Sequence, residues 1–116
     1  MSNALIIGWN KAVVGREAMA QELFQSTLAF WGKQQQQGNI ESFEPCLFAA
    51  HGGDMNGFFF IKGDPQKLDA IQHTDDYTTL VMQAGLCLEG PGFIRGYHGQ
   101  RLMDLMQSWG KLIPTS

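Results

Sequence analysis

The chain has 116 residues, 44% of them apolar and 16% charged, with a formal net charge of −3. A chain of this length is expected to form one domain, residues 1–116, whose single core buries somewhat under ~70% of the unfolded surface without help from disulfide or metal. Its eight basic residues are scattered from Lys11 to Lys111, which argues against phosphate-backbone binding, and no apolar run nears the ~18–20 residues of a membrane span.

The N-terminus, MSNALIIGW, has no basic residue before its short apolar run, so it does not read as a signal peptide. A cytoplasmic location is expected. Cys46 and Cys87 are then expected to be buried, reduced thiols rather than a disulfide. The charged fraction is low against the typical ~25%, as it would be if a partner covered part of the surface.

Ala4 to Trp9 reads as a first strand, with Leu5 and Ile7 on one face and Ile6 and Gly8 on the other. Residues 10–15 connect it to a helix from Arg16 to about Gln36. In that helix Met19, Ala20, Leu23, Phe24, Leu28, Phe30 and Trp31 recur at spacings of three and four, and Gly38 is a natural stop. A second strand follows around Phe43 to Ala50. Pro45 lacks an N–H, which places this strand at a sheet edge or after a bulge. Gly52-Gly53-Asp54-Met55-Asn56 then supplies turn chemistry. The next strand, Gly57 to Lys62, carries Phe58 and Phe60 on one face and Phe59 and Ile61 on the other. Both faces are apolar, so both should be covered.

Gly63-Asp64-Pro65 marks a helix start. Asp64 can accept from the first free N–H groups, and Pro65 suits the first helical position. Thr74 can cap a second helical piece bearing Tyr77, Leu80, Val81 and Ala84, with His73 at the break. Residues 85–97 hold the last strand, expected around Gly92 to Tyr97 with a short strand around Leu86 to Glu89 before it. A final helix from Gly99 to Ile113 presents Leu102, Leu105, Met106, Trp109, Leu112 and Ile113, and Pro114 ends it.

The order β-α-β-β-α-β plus a C-terminal helix predicts an α+β fold: a ferredoxin-like split βαβ unit with a four-stranded antiparallel sheet. Right-handed crossovers put both main helices on one sheet face. The other apolar face must then be covered by the added helix or by a second copy, and a symmetric homodimer is expected.

With this topology, and with His51-Gly52-Gly53-Asp54, Gly57-Phe58-Phe59 and Gly63-Asp64 followed by Lys67-Leu68, the chain resembles small uncharacterised bacterial proteins of the dimeric α+β-barrel superfamily. There two ferredoxin-like sheets pack face to face. The resemblance extends over nearly the whole chain as topology, but its local motifs span only residues 50–68 and are turn and cap chemistry. It implies company that includes cofactor-free monooxygenases, haem-degrading enzymes and isomerases. None of their catalytic motifs matches here residue by residue.

Several side chains could carry chemistry. His51 and Asp54 could act as a base with its orienter or as two metal ligands, with a third from His73, His98 or Asp76; equally, Asp54 stabilises the turn and His51 ends the strand. Arg95 could pair with an anionic group or reach a surface Glu. His98 sits where the last strand meets the last helix. Trp9 and Tyr97 could line a pocket or belong to the core. His51, Arg95 and His98 are therefore the candidate catalytic residues, and Trp9 and Tyr97 the candidate ligand-binding ones. No metal or organic cofactor is expected.

Three readings stay open at this point. The first is a binding module for a small, largely apolar ligand with one anionic or carbonyl group, held between sheet and helices. The second is a cofactor-free monooxygenase or isomerase with His51 as base. The third is a structural dimer whose interior the Phe side chains fill.

Overall fold

The computed structural model describes residues 1–114. Its elements, in order, are β1 (Ala4–Trp9), β2 (Lys11–Ala12), α1 (Glu17–Gln36), β3 (Ser42–Leu47), β4 (Gly57–Lys62), α2 (Pro65–Gln72), α3 (Asp75–Cys87), β5 (Leu88–Glu89), β6 (Gly92–Gly96) and α4 (Gly99–Gly110). The main sheet is antiparallel throughout, in the order β3-β4-β1-β6. This is the ferredoxin-like split βαβ order. Pro45 does lie in an edge strand, β3. A minor ladder pairs β2 with β5, so the expected connection of residues 10–15 contains a two-residue strand.

Registers decide which side chains share a face. Leu5 lies opposite Ile61 and Arg95, and Ile7 opposite Phe59 and Phe93. This face meets the helices, because Leu5, Ile7, Phe59 and Ile61 join Trp31 of α1, Leu68 and Ile71 of α2 and Tyr77 of α3 in one core cluster. Trp31 is fully buried, which contributes on the order of 2–3 kcal/mol. Two helix starts are built as their sequences dictate. Asp64 accepts from the N–H groups of Gln66 and Lys67 ahead of Pro65, and Thr74 Oγ1 accepts from Tyr77 N–H. Gly38, at φ +76°, lets the chain leave α1 in the left-handed region.

The opposite face carries Ile6, Phe58, Phe60, Ile94 and Cys46. No helix of the described residues lies on it. Three expectations are corrected here. Cys46 is exposed, because it sits on this open face; Cys87 is buried. Leu86 and Cys87 belong to α3, not to a strand, because the helical stripe Tyr77–Ala84–Cys87 continues one more turn, with Ala84 and Cys87 packing against Leu23 of α1. The last helix ends at Gly110 rather than Ile113, and every residue of it is exposed. It therefore does not cover the second face. Instead it projects, stretching the molecule to 57 Å with a radius of gyration of 16.3 Å, against about 13 Å for a compact chain of this size. Among the described residues no helix is long and apolar enough to cross a membrane.

Candidate functional site

A cavity of about 390 Å³ opens between the helix-bearing face of the sheet and helices α1 and α3. Its floor is an aromatic triad. Trp9, Phe24 and Phe59 stand with ring centroids 5.5–6.2 Å apart at tilted or edge-on angles, the arrangement aromatic quadrupoles favour. Trp9 takes its place because Gly57 lies opposite it in the β1–β4 ladder. A Cβ on Gly57 would meet the indole at 2.5 Å. The glycine thus lets a large ring lie across the strand, a close approach that only Gly permits. Leu23, Leu80, Ala84 and Phe93 complete the apolar walls.

Polar groups are few. Gln21 and Gln25, one turn apart on exposed positions of α1, line the cavity. Thr27 also lines it, but its hydroxyl donates to the Leu23 carbonyl of its own helix at 2.7 Å. The Tyr77 hydroxyl accepts from Gln72 Nε2 at 3.1 Å. Burial raises the Tyr77 pKa, and the Gln72 bond and the Arg95 charge oppose that rise only in part. Among the described residues, no Asp, Glu, Lys, Arg or His lines the cavity. Its dimensions and lining match a small-molecule site, and its polarity matches an uncharged occupant.

The five residues singled out from sequence are not gathered into one site. Trp9 lines the cavity. His51 is at the same end of the sheet but in the exposed β3–β4 connection, where its Nε2–H donates to the Met55 carbonyl at 2.8 Å. Its Nδ1 accepts from Gly53 N–H at 3.2 Å. Both ring nitrogens thus close the loop on itself, and the ring packs edge-on against Phe48.

Arg95 occupies the far end of the helix-bearing face, beside Leu5, four residues and about 13 Å along β1 from Trp9. Its guanidinium bonds Asp69 Oδ1 at 2.5 Å, Gln72 Oε1 at 3.0 Å and the carbonyls of Ser2 and Pro65 at 2.7 and 3.3 Å. That commits it to tying β6 and the N-terminus to α2. His98 lies on the open face, edge-on to Phe60 at 6.0 Å, and its backbone is held by the Asn3 side chain. Tyr97 borders a shallow depression with Met1, Arg101 and Leu105. No group of three or more metal-ligating side chains occurs among the described residues.

Sequence reasoning missed Gln21, Gln25, Leu80 and Ala84 as lining residues. The signal was present in part: Gln21 and Gln25 are four apart and flank the apolar stripe of α1 on the side of Leu28. What no periodicity reports is that the space they border stays open.

No family model matches the chain, and no curated protein matches it. Among solved structures, the chain is similar to a dimeric protein of unknown function and ferredoxin-like fold from Bacteroides fragilis NCTC 9343. The TM-score is 0.58 at 10% identity, covering 82% of this chain and 95% of that one. At that identity the likeness speaks for architecture alone, and it agrees with the strand order: the chain has a ferredoxin-like fold.

Proposed function

We propose that this protein is a cytoplasmic homodimer, each copy one ferredoxin-like domain, that binds a small, neutral, largely apolar molecule in the cavity between sheet and helices. The observation that carries this reading is the cavity itself: about 390 Å³, floored by Trp9, Phe24 and Phe59, with two glutamine amides and no charged side chain. Amides at an otherwise apolar site favour a ligand carrying a carbonyl or hydroxyl rather than a carboxylate, since an ionised group would lose its water without gaining a counter-charge. An open interior also counts against a purely structural dimer filled by its Phe side chains. A cofactor-free oxygenase or isomerase using His51, Arg95 and His98 finds less support, because none of the three borders the cavity, and both ring nitrogens of His51 and both terminal nitrogens of Arg95 bond within the fold.

The homodimer is supported by the apolar open face of the sheet and by the dimeric state of the structural neighbour. A cytoplasmic setting is supported by two unpaired cysteines, one of them exposed.

The test is fluorescence titration with N-phenyl-1-naphthylamine, a neutral apolar probe, beside its anionic sulfonate analogue. Saturable binding of the neutral probe alone is expected, and Ala20→Trp, which fills the cavity from α1, should abolish it while leaving the circular dichroism unchanged. Undiminished binding by that variant, or a preference for the anion, would overturn the reading. Native mass spectrometry of protein from its own host would then show whether a natural occupant is retained.

A further inference from the structure

Helix α4 is a helix without a surface to lie on. Its 12 residues are all exposed, its N-cap residue His98 makes no side-chain capping bond, and it has no acidic residue in its first turn or basic residue in its last. An isolated helix of that length is marginal in water even with good propensities. Yet α4 is the most strongly amphipathic helix of the chain. Leu102, Met106, Trp109 and Ile113 recur along one stripe, with Leu105 and Leu112 beside it. Together with Met103 these side chains are 41–80% exposed. Its contacts with the rest of its chain are few: Arg101 Nε donates to the Met1 carbonyl, and Leu105 and Ser108 border the shallow depression with Met1 and Tyr97.

The same chain leaves a second apolar surface with no helix on it: the open sheet face, where Ile94 is exposed and Ile6, Phe58 and Phe60 are half-buried. The two surfaces adjoin. His98 packs on Phe60 of the open face and is the residue from which α4 springs. We infer that α4 is an intermolecular arm, and that its occupant is a second copy of this chain. Each copy lays its α4 stripe against the other, extending one continuous interface from the open sheet faces outward.

Size supports this choice. Side chains of this kind present roughly 200 Å² each when free, so at their exposures the seven apolar residues of α4 and its following turn present on the order of 800 Å². That alone reaches the ~800 Å² per partner of a standard interface, before the sheet face is added. An isologous pairing satisfies both surfaces in both copies at once, whereas a foreign partner would have to match a helix stripe and a sheet face together. The inference rests on the homodimer reading above and adds the arm to it.

The experiment is sedimentation velocity across a concentration series, on the full chain and on two variants. One carries Leu102→Ser, Met106→Ser and Trp109→Ser in α4. The other carries Phe60→Glu on the sheet face. All of these positions are outside the helix-bearing core, and N-phenyl-1-naphthylamine binding serves as the check that each variant has kept its cavity. A dimeric wild type whose α4 variant dissociates at least 100-fold more readily, with helical ellipticity falling on dilution, is the expected result. A wild-type dimer with an α4 variant within threefold of it overturns the arm and leaves the dimer standing, provided Phe60→Glu weakens association. A monomeric wild type at micromolar concentration overturns both.

Discussion

Arg95 gives the sharpest separation between a residue that serves the fold and one that serves a ligand. Arg95→Met keeps the apolar stem and deletes the guanidinium. The change removes bonds to Gln72 Oε1 and to the Ser2 and Pro65 carbonyls, and the pair with Asp69. Hydrogen bonds to a charged group contribute about 1.5–3 kcal/mol each, toward the lower figure at part-buried acceptors such as these. The Ser2 carbonyl is only part-buried, so it regains water readily. The Asp69 side chain is 55% exposed, so that pair contributes under about 1 kcal/mol. The net loss is then about 3 kcal/mol, or a fall in melting temperature of about 12 °C for a chain of this size. Arg95→Lys should recover little, because an ammonium cannot reach four acceptors spread around a fork. Urea unfolding and calorimetry measure the loss. The cavity probe, titrated well below the melting point, should bind Arg95→Met as tightly as wild type. A stability loss under about 1 kcal/mol, or a tenfold drop in probe affinity in folded protein, would falsify the assignment of Arg95 to the fold.

Three further outcomes follow from the same structure. Asp64→Ala removes the acceptor of the Gln66 and Lys67 N–H groups and should cost about 1 kcal/mol in urea unfolding, with Asp64→Asn restoring most of it. Burial raises the Tyr77 pKa, so the phenol stays protonated in the folded chain at a pH where the unfolded chain already ionises; stability should hold below about pH 10 and fall above it. Tyr77→Phe should flatten that alkaline decline, and an unchanged slope in denaturation against pH counts against the burial argument. The Cys87 thiol is likewise pushed up by burial, with Arg16 opposing, while Cys46 is exposed. An aromatic disulfide reagent should therefore titrate Cys46 in the dilute native protein and reach Cys87 only as the chain unfolds.

Much of the fold was legible in the sequence because local chemistry and global packing agree. β1 and β4 were bounded by their apolar runs, Asp64-Pro65 and Thr74 announced α2 and α3, and Pro45 narrowed β3 to an edge or a place after a bulge, of which the sheet takes the edge. The misses came where one local signal served two structures. Leu86 and Leu88 look strand-like, but Cys87 between them also continues the buried stripe of α3, and its packing against Leu23 decided for helix. The site was less legible. Trp9 was found because it ends a strand, and its Gly57 seat is a matter of ladder register, which appears only when two strands are aligned. His51 and Arg95 drew notice as reactive types, yet hydrogen bonds within the fold, invisible in sequence, absorb both ring nitrogens of His51 and both terminal nitrogens of Arg95. A cavity is missing volume, and residue order carries no direct signature of it.

The projecting α4 also bears on how such a chain would be managed in a cell. If its last helix orders only against another copy, folding finishes as a second-order event, and stability rises with concentration. A subunit left alone would carry a frayed, apolar helix, the sort of exposed segment where proteolysis concentrates. Pairing would then hide the segment that invites degradation, so the copies that persist would be those that had met a partner, and an excess of unpaired chains would be cleared by cleavage at that helix.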